Sequence, residues 1–403
     1  MAGNQITAIA IPWYVLATGG SAAQVGLVGF FTFLPTVISA FFGGGIIDRI
    51  GRKRISMLAD LCSMVAVGLI PLLHATIGLH FWQLLALVFA GALLDAPGNT
   101  ARQALFPEII DQVGTSPERA NSAYQTVFRF AQLLGPLIGG VLISALGATN
   151  VLWIDAATFA VSASMVLFFL PEDRAIERET KHYLAEMLEG LRFIRNDRVL
   201  LWLAGILMVM NFLEAPLYSV ATPVLANEHF DSAKALGLLF AAIGAGGVAG
   251  SIGYGIVGQR FSRRTIFVFA FFFCGISPFA LAAFLPLGVI SIVLFLVGTV
   301  GAPLNPILMT VRQERVPIEM RGRVFGTFTA LAWLAIPAGM LVGGFMVDAL
   351  GLRQSLIAIG IAYLLVTGPM LWNRSLRGMD RQPEAVESGG ASRVEQTRTT
   401  TTS

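Results

Sequence analysis

Twelve stretches of this chain, each close to 20 residues long, are dominated by apolar side chains: 3–18, 25–47, 55–76, 81–104, 120–146, 151–170, 199–224, 235–258, 265–285, 288–311, 323–347 and 354–373. Roughly 20 apolar residues are what a helix needs to cross the hydrocarbon core of a bilayer. In that medium each backbone N–H and C=O must find its partner within the protein, so only helices and closed barrels can span it. Unbroken runs of this length, without two-residue alternation, specify helices. The expected fold is therefore an all-α membrane protein with twelve transmembrane helices. Charged residues make up 13% of the chain, against about 25% in soluble domains, which argues against a soluble protein of this length.

The placement of charge orients the spans. Of 27 Lys and Arg, Lys234 and Arg353 alone fall in loops of one side, and Arg129 lies inside a span. The excess of Lys and Arg marks the cytoplasmic loops. This predicts a multi-pass protein of the cell inner (plasma) membrane with both termini in the cytoplasm and the lipid bilayer as its first partner. The net charge is +3 and basic residues do not gather on one face, so nucleic-acid binding has no footprint. Cys62 and Cys274 sit inside apolar runs, with no His or Cys at metal-ligand spacing. They read as small buried hydrophobes. No nucleophile elbow, phosphate-binding glycine loop or nucleotide-binding domain is evident. Neither an enzyme nor an ATP-driven pump is expected, and no metal or cofactor.

The two halves are related. Gly26 to Ile55 maps onto Gly237 to Ile266 at a constant offset of 211. Ala101-Arg102-Gln103 corresponds to Val311-Arg312-Gln313, and Gly139-Gly140 with Ala145-Leu146-Gly147 to Gly343-Gly344 with Ala349-Leu350-Gly351. The expected organisation is a six-helix bundle over 1–170, a cytoplasmic linker over 171–198, a second bundle over 199–373 and a disordered polar tail over 374–403. Within the linker, Leu184, Met187, Leu188, Leu191 and Ile194 recur at helical spacing and predict an amphipathic helix lying at the inner interface.

Two motifs carry a family resemblance. Gly44, Asp48, Gly51, Arg52 and Lys53 form a glycine-punctuated, charge-dense turn between the second and third spans. In the fifth span, Gly135-Pro136-Leu137-Ile138-Gly139-Gly140 combines a helix-kinking proline with glycines that permit close helix packing. The first resembles motif A of the major facilitator superfamily and the second the core of its motif C, a signature of exporters. Ala131 stands where motif C carries an upstream glycine. In the second half Asp48 is replaced by Gln259 and Gly51 by Ser262, so the motif A chemistry is concentrated in the first half. With Asp95-Ala96-Pro97, Ala101 to Ala104 and Phe106-Pro107-Glu108, the chain is similar to the branch that includes macrolide-efflux proteins and the enterobactin exporter. The resemblance implies two pseudo-symmetric six-helix bundles that rock against each other. It also implies that Asp48 and Arg52 latch the inner gate against the N-terminus of span 11, where a carboxylate interacts favourably with the helix dipole.

Ionisable residues inside a bilayer are costly and each asks for a reason. Asp95, beside Pro97 and Gly98 in the fourth span, could bind a proton or a cationic group, or pair with Arg102 or Arg129. Glu214, in the seventh span before Pro216, has no basic neighbour within a turn and is the first candidate for proton coupling; a hydrogen bond to a facing helix is the alternative. Arg129, six residues before Gly135, could pair with Asp95 or with a carboxylate of the other half. Asp60 and Asp155 read as structural. Gly246-x-x-x-Gly250 fits either a sliding gate contact or dense packing. Few residues precede the first outer loop, and Asn4 stands where relatives often carry Asp. A short first helix or a start codon assigned too late would both account for this, and the second is favoured.

The function expected is secondary active, proton-coupled efflux of hydrophobic or amphipathic small molecules of drug, macrolide or siderophore type by a monomer, with protons and substrate as partners. A nutrient symporter, or a non-transporting member that senses a ligand or handles lipid, is the alternative.

Overall fold

The computed structural model describes residues 2–170, 183–373 and 375–380. Helices α1 (Ala2–Ala17), α2 (Ala22–Ile50), α3 (Arg52–Thr76), α4 (Phe81–Leu93), α5 (Asp95–Val113), α6 (Pro117–Leu146) and α7 (Ala148–Phe169) build the first half, with α4 and α5 forming one span. Helix α8 (Tyr183–Asn196) leads into the second. There α9 (Arg198–Pro216) runs through a π turn, Leu217–Ala221, into α10 (Thr222–Glu228), and α11 (Ala233–Val257) follows. Three broken spans come next: α12 (Arg263–Cys274) with α13 (Ser277–Ala282), α14 (Leu287–Gly301) with α15 (Leu304–Arg315), and α16 (Arg321–Trp333) with α17 (Ile336–Leu350). Helix α18 (Leu352–Thr367) closes the bundle. Among the described residues eleven helical segments are long and apolar enough to cross a membrane. The twelfth expected span is α1, which has 16 residues. The tail over 381–403 and linker residues 171–182 lie outside the described residues.

Prolines set where the spans break. A proline inside a helix donates no N–H and displaces the carbonyl four residues back. Pro97 leaves the carbonyl of Leu93 free at the α4–α5 break, and Ser39 of α2 donates its hydroxyl to that oxygen at 3.1 Å. Pro278 does the same to Cys274, whose carbonyl is taken by Ser277 Oγ at 2.8 Å. The amide of Asn211 on α9 donates to Ala332 O at 2.8 Å beside the α16–α17 break. At these three breaks a side-chain donor takes up a backbone carbonyl, as hydrocarbon requires.

The repeat is visible in backbone geometry. Gly147 and Gly351, which end the duplicated Ala-Leu-Gly turns, have φ of 83° and 84°. L residues with a side chain rarely occupy that region, so the turn requires glycine.

The charged loops gather at one end of the bundle, here termed the basic face; the opposite end is the far face. The halves meet most closely toward the far face, where α2 packs on α17 and α6 on α11. One continuous hydrophobic core there draws on both halves, including Val25 and Leu152 from the first and Leu225, Leu236 and Val347 from the second. Toward the basic face the halves part, and much of the first half of α6 is exposed.

Helix α8 is helical, as expected, but it docks on a protein partner. Gly190 lies against the carbonyl of Arg323 and the hydroxyl of Thr327 on α16, where a Cβ would come within 2.8 Å of both atoms. Arg323 pairs with Glu189 at 2.6 Å and Glu186 at 3.6 Å. The Gly246-x-x-x-Gly250 stripe faces the Phe295 and Thr299 carbonyls of α14 in its own half. This is dense packing within the bundle, and the sliding contact between halves is assigned elsewhere.

Candidate functional site

A cavity of about 1000 Å³ lies between the halves and extends toward the basic face. Its walls come mainly from α9, α11, α14 and α15, with Arg129 of α6 reaching in from the other half. Leu207, Met210, Phe240, Ile243 and Phe271 give it an apolar surface, and Asn211, Ser251, Tyr254 and Asn305 supply polar groups. Apolar walls carrying a few placed polar groups are the usual form of a small-molecule site.

Glu214 sits on this wall. Its Oε1 accepts a hydrogen bond from the Tyr363 hydroxyl of α18 at 2.6 Å. Tyr218, one turn further along the span, and Cys274 border the same cavity. Glu214 is two residues from Pro216, and the π turn after that proline widens the helix here. The facing-helix hydrogen bond, weighed from the sequence against proton coupling, is formed, and the residue also borders the cavity.

Asp95 lies elsewhere. It is the first residue of α5, at the α4–α5 break, and lines a separate pocket of about 270 Å³ in the first half. Asn4 of α1 reaches its carboxylate at 3.4 Å, and Thr7, Val67, Val88, Phe159 and Met340 are among the other walls. Of the two alternatives left open for Asp95, the pairing with Arg102 or Arg129 is not formed. Arg102 instead donates to Asp60 at 3.1 Å and to Ser56 at 3.3 Å, and Ser162 of α7 donates to the second Asp60 oxygen at 2.7 Å. These closer carboxylate and hydroxyl acceptors outcompete Asp95 for a guanidinium that extends from α5 toward α3. Asp155 accepts hydrogen bonds from Thr7 and Thr158. Arg129 has no hydrogen-bond or ion-pair partner among the described residues and projects into open space.

The motif C glycines lie at the far-face seam. A Cβ on Gly140 would come 2.6 Å from the Ala233 carbonyl and 2.9 Å from the Cα of Gly237. The repeat-related pair is Gly344 and Gly26: a Cβ on Gly26 would lie 2.5 Å from Met340 O and 2.9 Å from the Cα of Gly344. Gly135, Pro136 and Gly139 are buried in the same stretch of α6. Beside the second pair, the Asp348 carboxylate of α17 accepts the N–H groups of Ala22 at 2.9 Å and Ala23 at 3.1 Å, the first residues of α2. An acid at a helix N-terminus satisfies free donors and meets the positive end of the dipole.

Of motif A, Gly44 and Asp48 fall in the last turns of α2, in a stretch whose side chains lie outside the described residues. Gly51 takes φ 94° in the turn, and Lys53 follows in the first turn of α3. Arg52 donates to Glu108 at 3.2 Å and to the Ala104 carbonyl at 3.4 Å, within its own half.

Sequence reasoning passed over Tyr363, Asp348, Asn305 and the glycine partners Gly26 and Gly237. The last two are in the repeat alignment, and setting Asp348 against Ser144 in that alignment is a signal that could have found the acid. Nothing in the sequence pairs Tyr363 with Glu214.

Two bundles of six spans, joined through a docked linker helix and enclosing a cavity that reaches one face, define a secondary transporter. The profile of the Major Facilitator Superfamily matches residues 1–231 and 206–398, and the chain belongs to that family. It is 33% identical over 387 residues to a protein of Mycolicibacterium fortuitum named multidrug efflux pump Tap, covering 94% of each chain. The Mycobacterium tuberculosis protein of that name is 33% identical over 390 residues, 95% of this chain and 93% of the other. Macrolide efflux protein A of Streptococcus pyogenes is 21% identical over 377 residues, 91% of this chain and 92% of its own. Among solved structures, a mutant of the nucleoside transporter NupG superposes with a TM-score of 0.76 at 12% identity, covering 92% of this chain and 96% of that one. A D-xylose-proton symporter gives 0.65 at 15% identity, covering 92% and 94%. At these identities the superpositions speak for the fold.

Proposed function

We propose that the protein exports hydrophobic or amphipathic small molecules from the cytoplasm, driven by inward proton flow, as a monomer in the bacterial plasma membrane. The observation that carries this reading is the cavity of about 1000 Å³, closed at the far face and reaching the basic face, with Glu214 on its wall. By the positive-inside rule the basic face is cytoplasmic, so the conformation is inward-open and both termini are inside. Names given to the Tap proteins and macrolide efflux protein A support export as the direction.

The cycle is a rocking of the halves. In the inward-open state the seal is made by the pairs Gly140–Gly237 and Gly26–Gly344 and by Asp348 on the α2 terminus. In the outward-open state motif A takes over, with Asp48 and Arg52 holding the inner ends together through the N-terminus of α16. Glu214 exchanges a proton for substrate. In a site of low dielectric its charged and neutral forms interact very differently with whatever shares the cavity, which couples its protonation to substrate occupancy.

The test is substrate-stimulated collapse of an imposed pH gradient in inverted membrane vesicles, with macrolides, lipophilic cations and a catecholate siderophore as the panel. Dissipation by at least one class, abolished by Glu214→Gln, is the expected result. A gradient that no compound disturbs would refute proton-driven export.

A further inference from the structure

The large cavity has two charged side chains on its wall among the described residues, and they are opposite in sign and come from opposite halves. Arg129 projects from α6 of the first half and Glu214 from α9 of the second. Both keep unused bonding capacity. Among the described residues Arg129 has no hydrogen bond or ion pair, and Glu214 is met at Oε1 by Tyr363 while its Oε2 has no partner. Elsewhere among the described residues some arginines are committed to acids: Arg102 to Asp60, Arg315 to Asp197, Arg263 to Glu314. The Arg129 guanidinium is exposed beside a drug-sized, mainly apolar cavity and is open to a ligand there. The surface around it mixes polar groups with the apolar side chains of Phe130, Leu133 and Val248. Ser122, Gln125 and Thr126 lie one and two turns before Arg129 on α6 and line the adjoining pocket of about 330 Å³.

We infer that the cavity selects zwitterionic amphipathic molecules, with the substrate's anionic group on Arg129 and its cationic group on Glu214. This rests on the exporter reading above and names the substrate class of that same site. The chemistry follows from the two ends. A guanidinium presents a planar fork of donors that matches a carboxylate. A carboxylate that has released its proton to the cytoplasm takes an ammonium or iminium. The apolar walls between them hold the aromatic or aliphatic body. A cation alone engages one half of the protein and an anion alone engages the other, whereas a zwitterion engages both. Bridging the halves favours the conformation in which they approach, so occupancy by a zwitterion itself drives closure of the inner side. The differential affinity for the two states is what any ligand-driven shift requires.

Rhodamine B and its ethyl ester separate the charges on one scaffold, because the acid is a zwitterion and the ester a cation. Binding of each dye to purified protein is read by fluorescence anisotropy, alongside dye uptake by inverted vesicles. The wild-type protein is expected to bind the acid about tenfold more tightly than the ester, on the order of one charge-assisted contact. Arg129→Gln removes that preference and Arg129→Lys restores most of it; Glu214→Gln weakens both dyes. Equal loss of both dyes in Arg129→Gln, or no preference in the wild type, overturns the inference while leaving export intact if the vesicles still accumulate dye. Wild-type vesicles that take up neither dye nor any compound of the earlier panel would take down the exporter reading, and this inference with it.

Discussion

The two halves place the same arginine in opposite surroundings. Arg102 of the first half and Arg312 of the second are repeat equivalents. Arg102 is clamped by Asp60 and Ser56. At the offset of 211 those two positions become Phe271 and Phe267, whose rings pack edge to face at 4.9 Å. Arg312 has lost its acid and lies over Phe325 and Phe328, with its guanidinium carbon 5.3 and 5.0 Å from the ring centroids. One half is braced by a polar clamp and encloses a narrow pocket around Asp95. The other is braced by aromatic packing, and Phe271 forms part of the wall of the wide cavity that holds Glu214. At this one repeat position the duplicated frame thus divides its labour: a polar clamp in one copy, aromatic packing beside an apolar chamber in the other.

That contrast can be broken most directly at the clamp. Asp60→Ala leaves a mostly buried guanidinium without its partner and is expected to lower stability by about 3 kcal/mol. Arg312→Met, which gives up two cation–π contacts, should cost about 1 kcal/mol. Thermal unfolding in detergent measures both, and similar losses would erase the distinction. Next in size is the division between the acids. Glu214→Gln should reduce gradient-driven transport by about 100-fold, in the range for a positioned proton-transfer group, while Asp95→Asn reduces it by less than about tenfold. The reverse ranking in vesicle assays would move the coupling site into the first half. At the seam, Gly140→Ala and Gly344→Ala should each destabilise the inward-open form by about 2 kcal/mol through overpacking against backbone. Reactivity of a cysteine placed in the far-face cleft would rise in both variants alike; a response in only one would show that the two seams are unequal. The smallest effect is expected from Asp348→Asn, about 0.5–1 kcal/mol for an exposed acid at a helix terminus. The same cysteine reporter should show a few-fold gain, confined to the α2–α17 side.

The legible part of this protein was the part set by the solvent. Bilayer thickness fixes span length, and the distribution of Lys and Arg fixes which loops share a face, so the helical architecture and its repeat followed from local sequence. Glu214 stood out for the same reason, as a charge with no neighbour to explain it. Pairings between distant side chains were not legible. Asp95 had Arg102 and Arg129 as candidate partners while Asp60 was read only as structural, and choosing the acid that meets Arg102 needs the rotation of each helix about its axis, to which span-level patterns are blind. The glycine stripe of α11 stayed open between gate contact and dense packing for a related reason: Gly237 faces the other half while Gly246 and Gly250 face their own, and composition is the same on both sides. Tyr363 was invisible because a tyrosine in an apolar span is ordinary until a carboxylate is found opposite its hydroxyl.

The crossed glycine pairs have a bearing on how the molecule is assembled. Each half finishes its partner's surface: Gly140 is fitted to the backbone of α11, and Gly344 to that of α2. A half produced alone would present two shallow grooves shaped for helices that it does not contain. Co-expressed as separate polypeptides divided within 171–182, the halves should therefore find each other in the membrane and restore a working unit, and a bulky residue at one groove should be rescued by a smaller neighbour across it.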